Sequence, residues 1–275
     1  MTIAKVNYDD PATVVAALRG QDALVITING RAFAGTDIQR ILLSAAAEAN
    51  VPWVLPNEWG LDYNNEQLAT ESLDGIKKLE TRRWLHSGLP NAPAFVAVTC
   101  GFWYEYSLAL PITWGFDFAQ KKLSLTDNGA VKQNVSTWPQ VGRAVAKLLS
   151  LPIEKEEGAA GCLDDYRNGV VYVSSFCLSQ RDMLASVLRV TGSQKSEWAI
   201  DNVDGKGRWE AGQAAMKSGD RSGFISMMYA STLRQDRDEW GVFEKTRGLS
   251  NKLLKLPGED LDEFTRVAIE RAAQT

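Results

Sequence analysis

Lys78 stands mid-helix in Ile76-Lys-Lys-Leu-Glu-Thr-Arg82. A lysine poised over a cleft can give or take a proton once burial brings its pKa down from about 10.4 towards neutrality. A Lys-Lys pair on a helix is usually a solvated face, and the sequence alone favours that reading. A second group is aromatic: Phe102, Trp103, Tyr104 and Tyr106, with Trp114 and Phe116 close behind. These rings could floor an apolar pocket or pack a junction between two regions. Other chemistries find little support. The single histidine, His86, is flanked by Arg82, Arg83 and Ser87 and reads as a solvated helix residue. Cys100, Cys162 and Cys177 make no CxxC pair, which disfavours a zinc site and fits buried thiols in a reducing cytosol. There is no G-x-S-x-G elbow for serine-hydrolase chemistry. Gly205-Lys-Gly207 lacks the third glycine of a phosphate turn and reads as a surface hairpin.

The elements that must position these groups read as α/β. Ala23–Ile28 is a continuous apolar run, as in a parallel strand covered on both faces. Residues 36–49 follow with helical periodicity, then Pro52-Trp-Val-Leu-Pro56 is strand again. Strand, helix, strand is the unit that dinucleotide folds repeat. Upstream, residues 4–11 read as one more strand end. Residues 11–20 then form a short helix with Pro in its first turn and Gly past its end. A helical stretch runs to His86, and Ala94–Cys100 is the next buried strand. Residues 116–132 read as short strands around the Asp127-Asn-Gly129 turn. Thr137-Trp-Pro-Gln140 has the form of a capping box, and Ser179-Gln-Arg-Asp182 caps another helix.

The expected architecture is a Rossmann-type parallel sheet over residues 1–115, N-terminally truncated. A smaller, mostly helical substrate region follows over residues 116–275, with strand 169–174 returning to the main sheet. Ligands of open α/β sheets bind beyond the carboxyl ends of the strands. Here those ends are Thr27-Ile28-Asn29-Gly30, Pro56-Asn57-Glu58-Trp59-Gly60 and Thr99-Cys100-Gly101-Phe102.

Net charge of −4 and short basic pairs argue against a nucleic-acid surface. No apolar stretch approaches the roughly 18–20 residues that span a bilayer, and no leader is evident. The expectation is a soluble cytoplasmic protein that binds a small molecule, with no metal.

Several segments resemble one family in the right order. Pro56-Asn-Glu-Trp-Gly60 is similar to the Pro-Ser-x-Phe-Gly strand end of NmrA-like and isoflavone-reductase-like proteins. Lys78 with Arg82-Arg83 resembles their Lys-x-x-x-Arg helix. Residues 99–106, 136–142 and 256–261 resemble a fungal branch of that group. The resemblance implies an atypical short-chain reductase binding NADP(H), or alternatively NAD(H), with a C-terminal substrate region. It implies that Lys78 assists proton transfer and touches the nicotinamide ribose. Thr27, Ile28, Asn29, Pro56 and Asn57 would line the cofactor, and Trp59, Phe102, Trp103 and Tyr104 would shape the substrate pocket.

The departures are as informative. Those families open with a strand, a Gly-x-x-Gly-x-x-Gly turn and a helix, whose N–H groups hold the pyrophosphate. Residues 1–275 contain no such turn. The chain therefore reads as opening in mid-fold, with Met1 an internal methionine of a longer ancestral frame. Either a strand at Val6 moves in beside Ala23–Ile28, or that edge of the sheet stays open. Asn57 also replaces the family serine, and Trp59 the phenylalanine. The leading expectation is an NAD(P)H-dependent reductase of a small aromatic or conjugated carbonyl-type metabolite, impaired by the missing phosphate loop. The alternatives are a non-catalytic, dinucleotide-sensing regulator with a protein partner, or an inactive paralogue.

Overall fold

A computed structural model describes residues 2–28, 37–158 and 160–274. The strands are β1 (Ala23–Val25), β2 (Trp53–Leu55), β3 (Ala94–Thr99), β4 (Phe102–Trp103) and β5 (Phe116–Asp117). They continue as β6 (Lys122–Thr126), β7 (Lys132–Ser136), β8 (Gly169–Tyr172), β9 (Phe176–Ser179) and β10 (Ala199–Val203). The helices are α1 (Pro11–Leu18), α2 (Ile38–Glu48), α3 (Glu66–Glu71), α4 (Asp74–Ser87), α5 (Tyr104–Leu108) and α6 (Pro111–Trp114). After these come α7 (Trp138–Leu149), α8 (Gln180–Thr191), α9 (Gly205–Lys217), α10 (Ser222–Leu233), α11 (Phe243–Arg247) and α12 (Leu261–Ala272). Two compact units alternate along the chain. One takes Met1–Trp59, Lys77–Thr99 and Leu151–Val171, and the other takes Gly60–Ile76, Cys100–Ser150 and Tyr172–Thr275.

The first unit carries the Rossmann-like sheet, in the order β1-β2-β3-β8. β1 runs parallel to β2, and β2 parallel to β3. β2 and β3 are buried at every residue, as continuous apolar strands between covering layers should be. β1 is only half-buried and forms an edge of the sheet among the described residues. Asn168 leads into β8, donating its N–H to the Phe95 carbonyl and accepting the Phe95 N–H on its side chain. α2 turns Leu42, Leu43 and Ala45 into a core shared with Val14 and Val15 of α1, Val54 and Phe95. The Asp37 side chain caps its first turn by accepting the Arg40 N–H.

Val6 is half-buried against this core but lies in no strand, contrary to the sequence reading. Asn7 bridges to Asp10 and donates its N–H to the Thr13 hydroxyl, so the chain turns into α1 before a strand can run. Of the two arrangements considered, the edge beyond β1 is the open one among the described residues.

The second unit holds the larger share of the chain, because residues 60–76 and 100–115 fold with it. Its strands form two three-stranded sheets, β10-β6-β5 and β4-β7-β9. The Asp127-Asn-Gly129 turn therefore joins two sheets and closes no hairpin. Gly205-Lys-Gly207, expected as a surface hairpin, opens α9 instead. Asp204 caps that helix by accepting the Gly207 N–H, while Gly205 donates its N–H to Asp127. A Cβ at Gly205 would come within 2.9 Å of both Asp127 and Thr126, so only glycine allows this approach. Thr137 caps α7 by accepting the Gln140 N–H, but the expected box is not reciprocal, because the Gln140 side chain donates to the Pro257 carbonyl instead; the box at Ser179 is reciprocal.

Candidate functional site

The site is built at the carboxyl ends of β1 and β2. Ile26 extends the ladder by donating its N–H to the Leu55 carbonyl. Pro56 then ends β2, having no N–H to give. Beyond it, side chains take over from the backbone. The Asn57 amide donates to the Ile28 carbonyl at 2.9 Å, and the Trp59 indole N–H to the Ile26 carbonyl at 2.6 Å. Gln39 of α2 accepts the Asn57 backbone N–H at 2.8 Å. Glu58 folds under the loop into a buried bidentate pair with Arg82, its Oε1 accepting from Nε at 2.8 Å.

Lys78 and Arg82 are one helical turn apart on α4, so both reach the same loop. Lys78 donates from Nζ to the Asn57 carbonyl. An ammonium carries three donors, and this bond aims one of them. The structure thus brings together Ile28, Pro56, Asn57, Trp59 and Lys78. Thr27 is exposed beside them, and Asn29 lies outside the described residues.

Glu58, Arg82 and Gln39 were not read as site residues. Glu58 and Arg82 lie inside the quoted motifs, and the four-residue step from Lys78 was the signal available for Arg82. Nothing in the sequence marks Gln39, which meets the loop only through the fold.

In the second unit Phe102 and Tyr104 are packed interior. Phe102 stacks on Tyr229 with ring centroids 3.9 Å apart, and both meet Trp114 edge-on. The Tyr104 hydroxyl is bonded to Thr265, and burial pushes its pKa upward. Trp103 is half-buried, 6.3 Å from the exposed Trp138. Burial likewise pushes the Cys100 thiol up to about 12, which suits packing rather than nucleophilic attack.

The other resembling segments converge in this unit. Glu259 accepts hydrogen bonds from the Thr137 and Ser175 hydroxyls and pairs with Arg143. Gln140 donates to the Pro257 carbonyl, and Glu105 accepts the Trp138 N–H. Burial raises the Glu105 pKa, and the nearby Glu259 carboxylate adds to it. Among the described residues no cluster of His, Cys, Asp or Glu could hold a metal ion, and no helix is long and apolar enough to cross a membrane.

No known family profile matches the chain. It is 26% identical over 267 residues to the oxidoreductase aprR of Aspergillus flavus, covering 96% of this chain and 82% of that protein. Among solved structures it is similar to an isoflavone reductase, with a TM-score of 0.70 at 17% identity over 95% of this chain and 80% of that one. It is also similar to the Escherichia coli quinone oxidoreductase QOR2 bound to NADPH. There the TM-score is 0.68 at 18% identity, over 97% of this chain and 83% of the other. The fold is that of the isoflavone reductase and QOR2 structures.

Proposed function

We propose that this protein is an NAD(P)H-dependent oxidoreductase acting on a small aromatic or conjugated carbonyl-type metabolite, with Lys78 as its proton-handling residue. The observation that carries the reading is the placement of Lys78 Nζ on the Asn57 carbonyl, beyond the strand ends where α/β folds bind ligands. The names of the relatives support it: an oxidoreductase, an isoflavone reductase and an NADPH-bound quinone oxidoreductase.

The fit to a dinucleotide is divided. At the nicotinamide-ribose end, Lys78 offers donors beside Asn57, Pro56 and Ile28, on a loop already clamped by Gln39 and Arg82. At the N-terminus of α2 the Asp37 carboxylate caps the helix and repels a phosphate. When bound, the dinucleotide supplies the hydride. Lys78 then holds a proton at Nζ, oriented by the Asn57 carbonyl, for the oxygen that becomes negative as the carbonyl is reduced.

The Asp37 carboxylate at the N-terminus of α2 favours a second reading, a non-catalytic regulator or inactive paralogue. Calorimetric titration of NADPH and NADH into the folded chain separates the two. Binding, with turnover that falls about 100-fold or more in Lys78→Ala while affinity changes only a few-fold, is expected for the oxidoreductase. A folded chain that binds neither dinucleotide overturns it.

A further inference from the structure

Asn57 is the centre of a three-residue turn, closed by the Glu58 N–H donating to the Pro56 carbonyl at 2.8 Å. Followed outward from Lys78, the bonds of this turn form one unbroken line. Lys78 donates to the carbonyl of the peptide linking Asn57 to Glu58. The N–H of that peptide donates to the carbonyl of the one before it, whose own N–H, on Asn57, donates to Gln39 Oε1 at 2.8 Å. Because the Gln39 oxygen must face a donor, its Nε2 faces Thr81 and donates to Oγ1 at 3.5 Å. Thr81 ends the line by donating to the Lys77 carbonyl at 2.9 Å.

Every donor in this line points away from Lys78. Amides joined head to tail polarise one another, and an N–H that donates sends electron density to the carbonyl of its own peptide. The Asn57 carbonyl is thereby a stronger acceptor for a cation than a lone peptide would be. Gln39 is the amide that the backbone does not supply. It is only 9% exposed and lies on the covered face of α2 with Ile38, Leu42 and Leu43. A buried polar side chain costs stability unless it is hydrogen-bonded, and here both ends of the amide are used.

We propose that Gln39 is a positioning residue for Lys78, acting through the two peptides between them to hold the ammonium on the Asn57 carbonyl. Gln39 touches no reacting atom. It fixes the Asn57 N–H, the turn carries that constraint to the Asn57 carbonyl, and the carbonyl aims the lysine. The consequence for catalysis rests on the oxidoreductase reading: the proton at Nζ is oriented before a substrate arrives. The line of bonds itself stands apart from that reading.

Trace labelling of the full chain with acetic anhydride, read lysine by lysine by mass spectrometry, tests this without any ligand. Acylation needs the free amine, so a Lys78 released from its carbonyl reacts faster. Gln39→Leu keeps the size and removes the acceptor. Lys78 acylation is then expected to rise about threefold or more, while the exposed side chain of Lys77 keeps its rate. Gln39→Glu keeps an oxygen for the Asn57 N–H and adds negative charge at that end of the line, so Lys78 is expected to slow about twofold or more. A Lys78 rate unchanged in either variant overturns the proposal. So does a rise that Lys77 shares, since that would be mere loosening of α4. Turnover of NADPH with cinnamaldehyde as the probe carries the catalytic arm. Gln39→Leu should lower kcat about tenfold and leave the KM for NADPH within about threefold, and an unmoved kcat overturns the positioning role. Labelling as expected in a chain that turns nothing over supports the line of bonds and counts against the oxidoreductase reading alone.

Discussion

Asn57, Glu58 and Trp59 each reach a different neighbour, so three consecutive side chains fasten one loop. Two of them cover strand carbonyls at Ile28 and Ile26, and the third is buried against Arg82. A loop held this way keeps the Asn57 carbonyl where Lys78 can use it, and that orients the ammonium before any ligand arrives. The Glu58–Arg82 pair is the part most sensitive to change. Both side chains are at least nine-tenths buried, so Glu58→Gln strands a guanidinium with no counter-charge. Breaking a buried pair in this way costs about 3–5 kcal/mol. The melting temperature by circular dichroism should fall by several degrees. Glu58→Gln/Arg82→Met removes both charges and should recover part of the loss. A single variant that melts with the wild type would show that the pair does not hold the loop. The helix that carries Lys78 and Arg82 was legible from its periodicity, and their four-residue step puts both on one face. That Glu58 and Trp59 serve the loop itself was not, since a side-chain bond to a distant carbonyl leaves no periodic mark.

At the scale of elements, the start of α7 gathers chemistry from across the second unit. Thr137 caps the helix, Glu259 ties that cap to Ser175 and Arg143, and Glu105 receives the first helical N–H. Glu105 and Asp262 respond to pH in opposite senses. Burial raises the Glu105 pKa above its ordinary 4.5, so the folded chain holds that proton more tightly than the unfolded one. Its favourable contribution is complete below pH 4.5 and declines as pH rises through the native value. The Arg189 and Ser186 hydrogen bonds lower Asp262 to about 2, so its contribution is present above 3.8 and lost as pH falls through about 2. Melting temperatures across pH should show Glu105→Gln flattening the decline on the neutral side. Asp262→Asn should flatten the acid limb. Unchanged slopes would remove these carboxylates from the pH response. The caps at Thr137 and Ser179 were legible because a cap is a four-residue pattern. The opening of α9 at Gly205 was misread as a hairpin because its reason, close contact with Asp127 and Thr126, lies far away in sequence.

On the scale of the whole molecule, the two units interleave rather than follow one another. The parallel sheet is complete only when β8 joins beside β3, and β8 lies beyond residue 168. Parallel strands in the first part and helices in the rest suggest a division at 115/116, but contiguity in sequence says nothing about which strand closes a sheet. A piece ending at residue 115 would keep β1 to β3 and lose β8. It would also carry β4 without β7, on which Phe102 and Trp103 pair, and Phe102 without the Tyr229 ring it stacks on. Leaving these groups in water forfeits burial of about 1.5–3 kcal/mol for each large side chain, against a typical total stability of roughly 5–15 kcal/mol. Residues 1–115 expressed alone should therefore show no cooperative melt and should bind a hydrophobic dye, whereas 1–275 melts cooperatively. A sharp transition in the shorter piece would establish 115/116 as a real boundary. It would also mean that β8 adds little to the stability of the parallel sheet.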